Sequence, residues 1–221
     1  MLPAAAKARL APAPKSALAR PSAASLRESG VQTEPQAAEL SAVEGEGAVR
    51  FHVGPAMRST LERRLRGAEG AVRAALYCFD DSEVVRILCQ RARDGVSVKM
   101  VLDESQLRNP SCSNQLARML ELCEWGAELY RYKVGPGFMI LHHKLWVIDG
   151  STLLSGSVNP THNGLTNNEE HLLEVNSQGA VVDALSHLES LFSRATFITA
   201  EFITEAMHVQ EAKRRGSSLR R

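Results

Sequence analysis

One segment near the middle of the chain carries chemically useful side chains at spacings that a β-hairpin would bring together. His142 and Lys144 are separated by one residue inside the largely apolar stretch Met139 to Ile148, which predicts a β-strand. Because alternate side chains of a strand emerge on the same face, we expect the imidazole and the ammonium to face the same space. Asp149 ends the predicted strand, and a tight turn follows it.

The second strand of this hairpin is expected to bring three more residues to the same place. Thr152 to Leu154 predicts that strand, and Gly156, Ser157 and Asn159 follow it, beside His142. A nucleophilic ring, a fixed cation and two neutral hydrogen-bond donors would then converge. Such a set can hold a phosphate ester and attack its phosphorus atom without a metal ion.

The spacing of these residues also matches a known family signature. Each residue type makes up only about 2 to 7 per cent of average proteins, so six in register form a strong signal. The pattern H-x-K-x4-D-x6-G-S-x-N resembles the signature of the phospholipase D superfamily, in a form that carries a single motif. The resemblance extends from roughly residue 49 to residue 200. The six matching residues are His142, Lys144, Asp149, Gly156, Ser157 and Asn159.

The resemblance implies an α/β fold, namely a phospholipase D-like sandwich with a mixed, mostly parallel β-sheet flanked by helices. Phe51 to Asp103 resembles the strand-helix-strand start of that family. Ala71 to Phe79 and Val96 to Leu102 are almost wholly apolar, which predicts buried strands in a parallel pair with a right-handed crossover helix, capped by Asp80 to Ser82. Further predicted elements are strands at Val49 to Val53, Glu128 to Tyr132 and His171 to Val175, and helices at Pro55 to Arg66, around Leu116 to Cys123 and around Val181 to Phe192.

Roles for the site residues follow from the resemblance as well. Glu170 lies where family members place an acidic residue, and we expect it to accept a hydrogen bond from the far nitrogen of the His142 ring. Asp149 is expected to hold the strand turn or a buried polar network rather than to contact substrate. Asp103 ends a predicted strand, where either a role near the ligand or simple turn formation is expected. The implied catalytic residues are His142, Lys144, Asp149 and Glu170, and the implied phosphate-binding residues are Lys144, Ser157 and Asn159.

A single motif constrains the mechanism and the assembly. Displacement at phosphorus needs an attacker on one side and a proton donor on the other, so one imidazole cannot perform both tasks at once. We therefore expect an obligate homodimer with a shared active site, to which each copy contributes His142. One ring would form a phosphohistidine intermediate, while its twin protonates the leaving alcohol and then activates water. No metal or other cofactor is expected, because the Lys144 cation opposes a nearby metal ion.

Other interpretations of the motif stay open. A histidine on an apolar strand is most often a satisfied core residue, and we expect His143, on the opposite face from His142, to be one. The neighbours of His142 argue against that interpretation for His142 itself. The chain could also be a catalytically inactive phosphate-binding module that kept the motif.

The substrate class is not decided by the catalytic residues, because lipid and nucleic-acid diesters require the same chemistry. Single-motif relatives include bacterial phospholipase D-like endonucleases and a mitochondrial enzyme of the cardiolipin hydrolase type. We favour a phospholipid at a membrane surface, and the alternative is an endonuclease acting on single-stranded nucleic acid. An apolar collar for lipid has the candidates Phe138, Met139 and Ile140, and a basic groove for nucleic acid has the candidates Arg58, Arg63, Arg64, Arg131 and Lys133.

Composition limits the protein class. The chain has 221 residues, of which 44% are hydrophobic and 23% charged, with a formal net charge of +1, as in ordinary globular proteins. A net charge near zero gives no global argument for nucleic-acid binding. The four cysteines show no C-x-x-C spacing, and we expect reduced thiols.

The beginning of the chain has a different composition from the rest. Up to Arg27 it is basic, free of acidic residues and rich in Ala, Pro and Ser, which fits either an organellar transit peptide or a disordered tail without an address. We expect residues 1–47 to be a disordered leader and linker, residues 48–200 the catalytic domain and residues 201–221 a C-terminal helix and basic tail. A mitochondrial or other organellar location is favoured over the cytoplasm, and no transmembrane segment is expected.

Overall fold

A computed structural model of the protein describes residues 47–109, 113–135 and 140–218. The chain divides into Met1–Ala42 and Val43–Arg221, and the architecture below is that of the second unit. The expected leader, the collar candidates Phe138 and Met139, and Cys112 lie outside the described residues. None of the described helices is both long and apolar enough to cross a bilayer.

Eight strands and six α-helices make up the described domain, together with one 3-10 turn, Gln106–Arg108. The strands are β1 (Ala48–Val53), β2 (Ala71–Leu76), β3 (Ser97–Asp103), β4 (Glu128–Tyr132), β5 (Lys144–Ile148), β6 (Thr152–Gly156), β7 (His171–Asn176) and β8 (Thr196–Phe197). The helices are α1 (Pro55–Arg66), α2 (Ser82–Arg93), α3 (Ser113–Glu124), α4 (His162–Thr166), α5 (Gln178–Arg194) and α6 (Ala200–Ser218).

The strands form one mixed sheet in the order β1-β7-β6-β5-β2-β3-β4-β8. As predicted, β2 and β3 pair in parallel, and β4 continues that parallel group. The other five strand pairs are antiparallel, so the expectation of a mostly parallel sheet was wrong. One reason is that β5 and β6 are joined by a three-residue turn, which returns the chain in the opposite direction, whereas a parallel connection needs a long crossover. The α/β class with a mixed sheet flanked by helices is confirmed.

Helices cover both faces of the sheet, and the alternation of side chains along each strand feeds two hydrophobic clusters. On β5, Trp146 and Ile148 enter the larger cluster, which includes α1, α2, α3 and α6. Val147, on the opposite face, enters the smaller cluster beneath α5, where Val181 and Leu188 are buried. A strand buried on both faces reads as a continuous apolar run, which explains why the four residues before Asp149, Leu145 to Ile148, are all apolar.

The N-terminus of α2 shows how the predicted cap is satisfied. The side chain of Asp81 accepts hydrogen bonds from the backbone N–H groups of Glu83 and Val84, both at 3.1 Å. The Arg58 guanidinium donates to the same carboxylate at 2.6 Å, and the contacts with Arg58 and the two N–H groups hold the pKa of Asp81 below its ordinary value although burial would raise it. The capping prediction is confirmed, and one of the candidate nucleic-acid arginines is already paired.

The C-terminal segment forms helix α6, which extends to Ser218 and so includes part of the expected basic tail. Ile203 and Ala206 of this helix are buried in the larger cluster. Gln210 donates to the backbone carbonyls of Leu107 and Asn109 at 3.2 and 3.1 Å. These contacts attach α6 to the segment between β3 and α3, and the division at residue 201 stays a proposal.

Gly156 ends β6 at a point where β7 approaches its backbone closely. A Cβ atom at this position would lie 2.2 Å from the carbonyl oxygen of His171. That oxygen accepts a hydrogen bond from the Ser157 N–H at 3.2 Å, so the close approach also fixes the residue that follows. The glycine of the motif is therefore required by packing at the start of the site.

We expect Gly156→Ala to lower the free energy of unfolding by about 3 kcal/mol, because rigid backbone atoms would have to move. Gly179→Ala is the matched control, since no atom lies within 4 Å of its added methyl group and Gly179 is in a helix. It should leave stability unchanged or raise it by up to about 1 kcal/mol. Denaturant unfolding of both variants measures the difference, and equal stability would contradict this account of Gly156.

Candidate functional site

The site lies at the edge of the sheet where β2, β3 and β6 end and β5 and β7 begin. Lys144, the first residue of β5, pairs with Leu76, the last residue of β2. The backbone N–H of Tyr77 donates to the carbonyl of His143 at 3.0 Å, so this pairing continues one step beyond the ladder. His142 thus precedes β5 rather than lying within it, and the predicted strand from Met139 was too long at its start.

Asp103 fixes the backbone immediately before His142. Its carboxylate is 2% exposed and accepts a hydrogen bond from the Leu141 N–H at 2.5 Å. The same carboxylate accepts from the backbone N–H of Ser105 at 2.9 Å and from the Ser105 hydroxyl. Asp103 therefore forms the expected turn after β3 and also holds the residue next to His142, and its expected role near the ligand stays a prediction.

The His142 ring is exposed at this edge and packs against one aromatic neighbour. It makes an edge-to-face contact with Tyr77, with the ring centroids 4.8 Å apart. Desolvation and the positive charge of Lys144 lower the pKa of His142 below its ordinary value of 6.5, while the charge of Asp103 acts in the opposite direction. A lowered pKa keeps the imidazole neutral near pH 7, and the neutral ring is the nucleophilic form.

Lys144 is the most unusual side chain of the site, because it is an ammonium that is only 5% exposed. Its Nζ donates to the carbonyl of His142 at 2.9 Å and lies 5.3 Å from the centroid of the Tyr77 ring. Burial lowers the pKa of Lys144, while the charge of Glu170 raises it. An ammonium has three donors, and within the described residues only one of them has an acceptor.

Ser157 and Asn159 lie after β6, as the hairpin predicted. The Ser157 hydroxyl oxygen accepts from the backbone N–H of His171 at 3.1 Å, which leaves its own proton free to donate. The Oδ1 atom of Asn159 is buried without a hydrogen-bond partner in the described part of the chain. Buried polar atoms are nearly always paired, but a phosphate oxygen cannot satisfy this acceptor, so contact of Asn159 with phosphate requires its side-chain NH2 group.

Glu170 lies between the end of α4 and β7 and is half-buried. Its Oε1 accepts from the Asn168 side-chain amide at 3.4 Å, and its charge acts on Lys144. The hydrogen bond that the His142 ring was expected to donate to Glu170 is not among the described contacts. The orienting role of Glu170 therefore stays a prediction.

Asp149 lies at the opposite end of β5 from His142. Its carboxylate accepts from the backbone N–H groups of Glu69, Gly70 and Ala71 at 3.0, 2.8 and 2.9 Å. Burial would raise the pKa of Asp149, but these three N–H groups outweigh it and hold the pKa below its ordinary value. Asp149 therefore joins the turn after β5 to the start of β2, and the structure does not bring it to the site.

A cavity of about 470 Å³ borders His142 on the α5 side of the sheet. The expectation that His143 is a core residue was wrong, since its side chain is exposed and lines this cavity. The walls of the cavity remove part of the His143 ring from water. This desolvation and the neighbouring charges of His187 and Lys144 lower the pKa of His143. The lining also includes four aliphatic residues and an arginine: Val134, Ile140, Leu141, Leu191 and Arg194.

The arginines of α1 are occupied by carboxylates. Glu174 of β7 is 1% exposed and accepts from Arg63 at 3.2 Å, from Arg64, and, with its second oxygen, from His52 at 3.1 Å. Burial would raise the pKa of Glu174, but the pairing with Arg64, His52 and Arg63 holds it below its ordinary value. Three of the candidate groove arginines, counting Arg58 with Asp81, are thus held in ion pairs.

Two residues of this region, Tyr77 and His187, have no counterpart in the predicted site. Tyr77 follows β2 and contacts both His142 and Lys144, which its position after an apolar strand could have indicated. His187 faces away from the core on α5, and nothing in its local pattern links it to His143. The described residues contain no group of three or more His, Cys, Asp or Glu side chains placed to hold a metal ion.

Together, the fold and the site define an α/β domain with a histidine and lysine pair at one edge of its mixed sheet. The chain belongs to the phospholipase D superfamily of phosphodiesterases. Residues 61–196, well over half of the chain, match the family described as cardiolipin synthase, PLD-like domain.

Curated relatives of known name share about a quarter of their residues with this chain. A mitochondrial cardiolipin hydrolase of Xenopus laevis is 26% identical over 147 residues, which are 66% of this chain and 66% of that protein. A mitochondrial cardiolipin hydrolase of Homo sapiens is 28% identical over 120 residues, 54% of this chain and 44% of that protein. A phospholipase D of Rickettsia typhi is 28% identical over 140 residues, 63% of each. The chain thus spans less than two thirds of most of these proteins.

Solved structures of the same superfamily share the fold. Nuc of Salmonella typhimurium, a phospholipase D family member, has a TM-score of 0.61 at 23% identity and covers 68% of this chain and 99% of its own. NucT of Helicobacter pylori has a TM-score of 0.60 at 20% identity, with coverage of 69% and 100%. At these identities the likeness concerns the fold.

The charges around His142 can be separated by titration of its ring. Lys144→Met should raise the pKa of His142 towards 6.5, because the neighbouring cation is removed, and Asp103→Asn should lower it further, because the opposing anion is removed. Arg93→Met, at the far end of α2 where the arginine lies over Trp125, is the control and should leave the pKa unchanged. NMR titration of the ring protons measures the shifts, and a fall in the Lys144→Met variant would refute this electrostatic account.

Proposed function

We propose that this chain is a metal-independent phosphodiesterase that hydrolyses phosphodiester bonds through a phosphohistidine intermediate on His142. The observation that carries the proposal is the buried ammonium of Lys144, two of whose donors have no acceptor among the described residues, beside an exposed imidazole whose pKa is lowered. Burying an unpaired cation is costly, and a bound phosphate would supply the missing counter-charge and acceptors.

In the first step, Nε2 or Nδ1 of one His142 attacks phosphorus while the bond to the leaving oxygen breaks. The leaving alcohol takes a proton from the second histidine ring, which is in its protonated imidazolium form on the opposite side of phosphorus. Water then attacks the phosphohistidine, loses its proton to that second imidazole, and restores the first ring. Lys144, Ser157 and Asn159 are proposed to bind the non-bridging oxygens, and Glu170 to orient the ring.

The second imidazole is proposed to come from another copy of the chain. The sequence contains one H-x-K motif, and in-line displacement needs groups on both sides of phosphorus. The exposed His142 ring at an open sheet edge is compatible with a site completed across a twofold axis. We therefore propose a homodimer with one shared site.

A mixing experiment tests the shared site and the nucleophile together. Wild-type and His142→Ala chains, co-refolded in equal amounts, should give about one quarter of the all-wild-type rate on a chromogenic phosphodiester, because only dimers with two imidazoles are active. Independent sites would instead give one half. His142→Ala alone should be inactive, and an acid-labile phosphohistidine should be trapped only in the wild type. Full activity of His142→Ala would exclude the proposal and leave a phosphate-binding module as the better description.

A phospholipid is the proposed substrate class. The cavity beside His142 is lined by aliphatic side chains such as Ile140 and Leu191, which suit an acyl or glyceryl group. Of the basic candidates for a nucleic-acid groove, Arg58, Arg63 and Arg64 are paired with carboxylates, and Arg131 lies 3.2 Å from Glu104. The names of the curated relatives support lipid, and the nuclease neighbours keep single-stranded nucleic acid as the second candidate.

A side-by-side assay on anionic phospholipid vesicles and a single-stranded oligonucleotide separates the two substrates. We expect hydrolysis of the lipid and no cleavage of the oligonucleotide. Ile140→Ser should lower the rate on vesicles at least about tenfold, because burying an aliphatic side chain against bound lipid contributes about 1.5 to 3 kcal/mol. The rate of the same variant on the small chromogenic diester should change little. Cleavage of the oligonucleotide alone would replace the lipid assignment with a nuclease.

We propose a mitochondrial or other organellar location for the protein. Two of the similar proteins are named as mitochondrial, and the basic composition before Arg27 agrees with an organellar address.

A further inference from the structure

A pair of histidines beside the proposed site is not used by the chemistry above. The Nε2 atoms of His143, before β5, and His187, on α5, lie 3.1 Å apart. The ring centroids are 5.0 Å apart and the ring planes are inclined by 77°. Because the centroids are farther apart than the nitrogens, the two Nε2 atoms are the facing corners of their rings.

This separation suits two nitrogens that share one metal ion. With metal–nitrogen bonds of about 2.0 to 2.1 Å, nitrogens 3.1 Å apart subtend an angle of about 98° at the metal, between the octahedral and tetrahedral values. In the absence of metal, one Nε2 donates its proton to the other. A metal ion would take the place of that proton, which leaves to the solvent or moves to Nδ1.

The surroundings select the kind of ion. Both side chains are exposed, so water can complete the coordination and screen the ion from the charge of Lys144, which acts on the His143 ring. The described lining of the cavity holds no carboxylate, which excludes the oxygen-rich shell that Mg²⁺ and Ca²⁺ require. The arginine of the lining, Arg194, is directed to the Ser190 carbonyl at 2.9 Å and to the Tyr132 ring, with its guanidinium 5.3 Å from the ring centroid. Neutral imidazole ligands suit Zn²⁺, Cu²⁺ and Ni²⁺.

We propose that His143 and His187 form a two-histidine binding site for a transition metal ion of the Zn²⁺ class. The consequence for activity rests on the proposed function. An ion held there occupies the cavity that borders His142, so it competes for space with the non-reacting part of the substrate. Zn²⁺ would therefore inhibit hydrolysis rather than support it.

Calorimetric titration of tag-free protein with Zn²⁺ tests the site directly. We expect one ion per chain in the wild type and at least about tenfold weaker binding in His187→Ala, because one of two ligands is lost. His208→Ala, which removes an exposed histidine on α6, is the matched control and should bind as the wild type does. NMR signals of His143 and His187 should shift first on addition of Zn²⁺. Absence of binding, or equal binding by His187→Ala, would overturn the site.

The activity arm uses each protein's own metal-free rate as its reference. Zn²⁺ should inhibit the wild type and His208→Ala at the concentration that fills the site, and His187→Ala should need at least about tenfold more. Binding without inhibition would overturn the competitive consequence and leave the site intact. A metal-free wild type that hydrolyses no diester would refute the proposed function instead, and the calorimetric result would still decide the site.

Discussion

The direction of β5 is the constraint on which the site depends. Had β5 joined β2 in parallel, its first residue would lie at the opposite edge of the sheet from the ends of β2 and β3. Because the two strands are antiparallel, Lys144 lies beside Leu76, and the backbone before it reaches Asp103 at the end of β3. The antiparallel pairing of β5 with β6 then returns Ser157 to the same edge. Site assembly is thus a result of sheet topology.

The buried charge of Lys144 lowers the stability of the fold at the site. An ammonium removed from water is unfavourable unless its donors are satisfied, and Lys144 satisfies one through the His142 carbonyl and part of its charge through the Tyr77 ring. The depressed pKa of Lys144 reflects that imbalance, and the charge of Glu170 reduces it. Such a group attracts an anion, and the same positive charge keeps the adjacent His142 ring neutral. One buried cation therefore favours an anion at this edge of the sheet and, together with desolvation, lowers the pKa of the adjacent His142 ring.

Much of the fold could be predicted from sequence because its elements have strong local signals. The caps at Asp81 and Ser177, the apolar runs of β2 and β3 and the amphipathic pattern of α5 are local properties, and each predicted element was found. The balance of parallel and antiparallel pairs was missed, since it depends on which strands become neighbours across the sheet. The start of β5 was also missed, because apolar character continues through Leu141 although the pairing with β2 stops at Lys144.

The site shows the same division between local and long-range information. The hairpin spacing placed Lys144, Ser157 and Asn159 together, but Asp149 fits the motif while its carboxylate binds three N–H groups at the far end of β5. A sequence motif therefore contains residues that the fold requires as well as residues that contact a ligand. His143 shows the converse, since alternation assigned it to a buried face, whereas the face beneath it opens into a cavity.

The arginines of α1 show how a charge run can be structural. The partner of Arg63 and Arg64, Glu174, lies over a hundred residues away and is paired in register with Arg50 of β1. Burial of one carboxylate among several cations is stabilising only while the carboxylate is ionised, so these contacts join β1, α1 and β7 at pH values above its depressed pKa. Below that pKa the cations lose their counter-charge and the stabilisation is lost. The arginines of α1 are thus paired with carboxylates that hold the helix to its neighbours. Among the described residues, Lys144 is a buried cation that lies at the site instead.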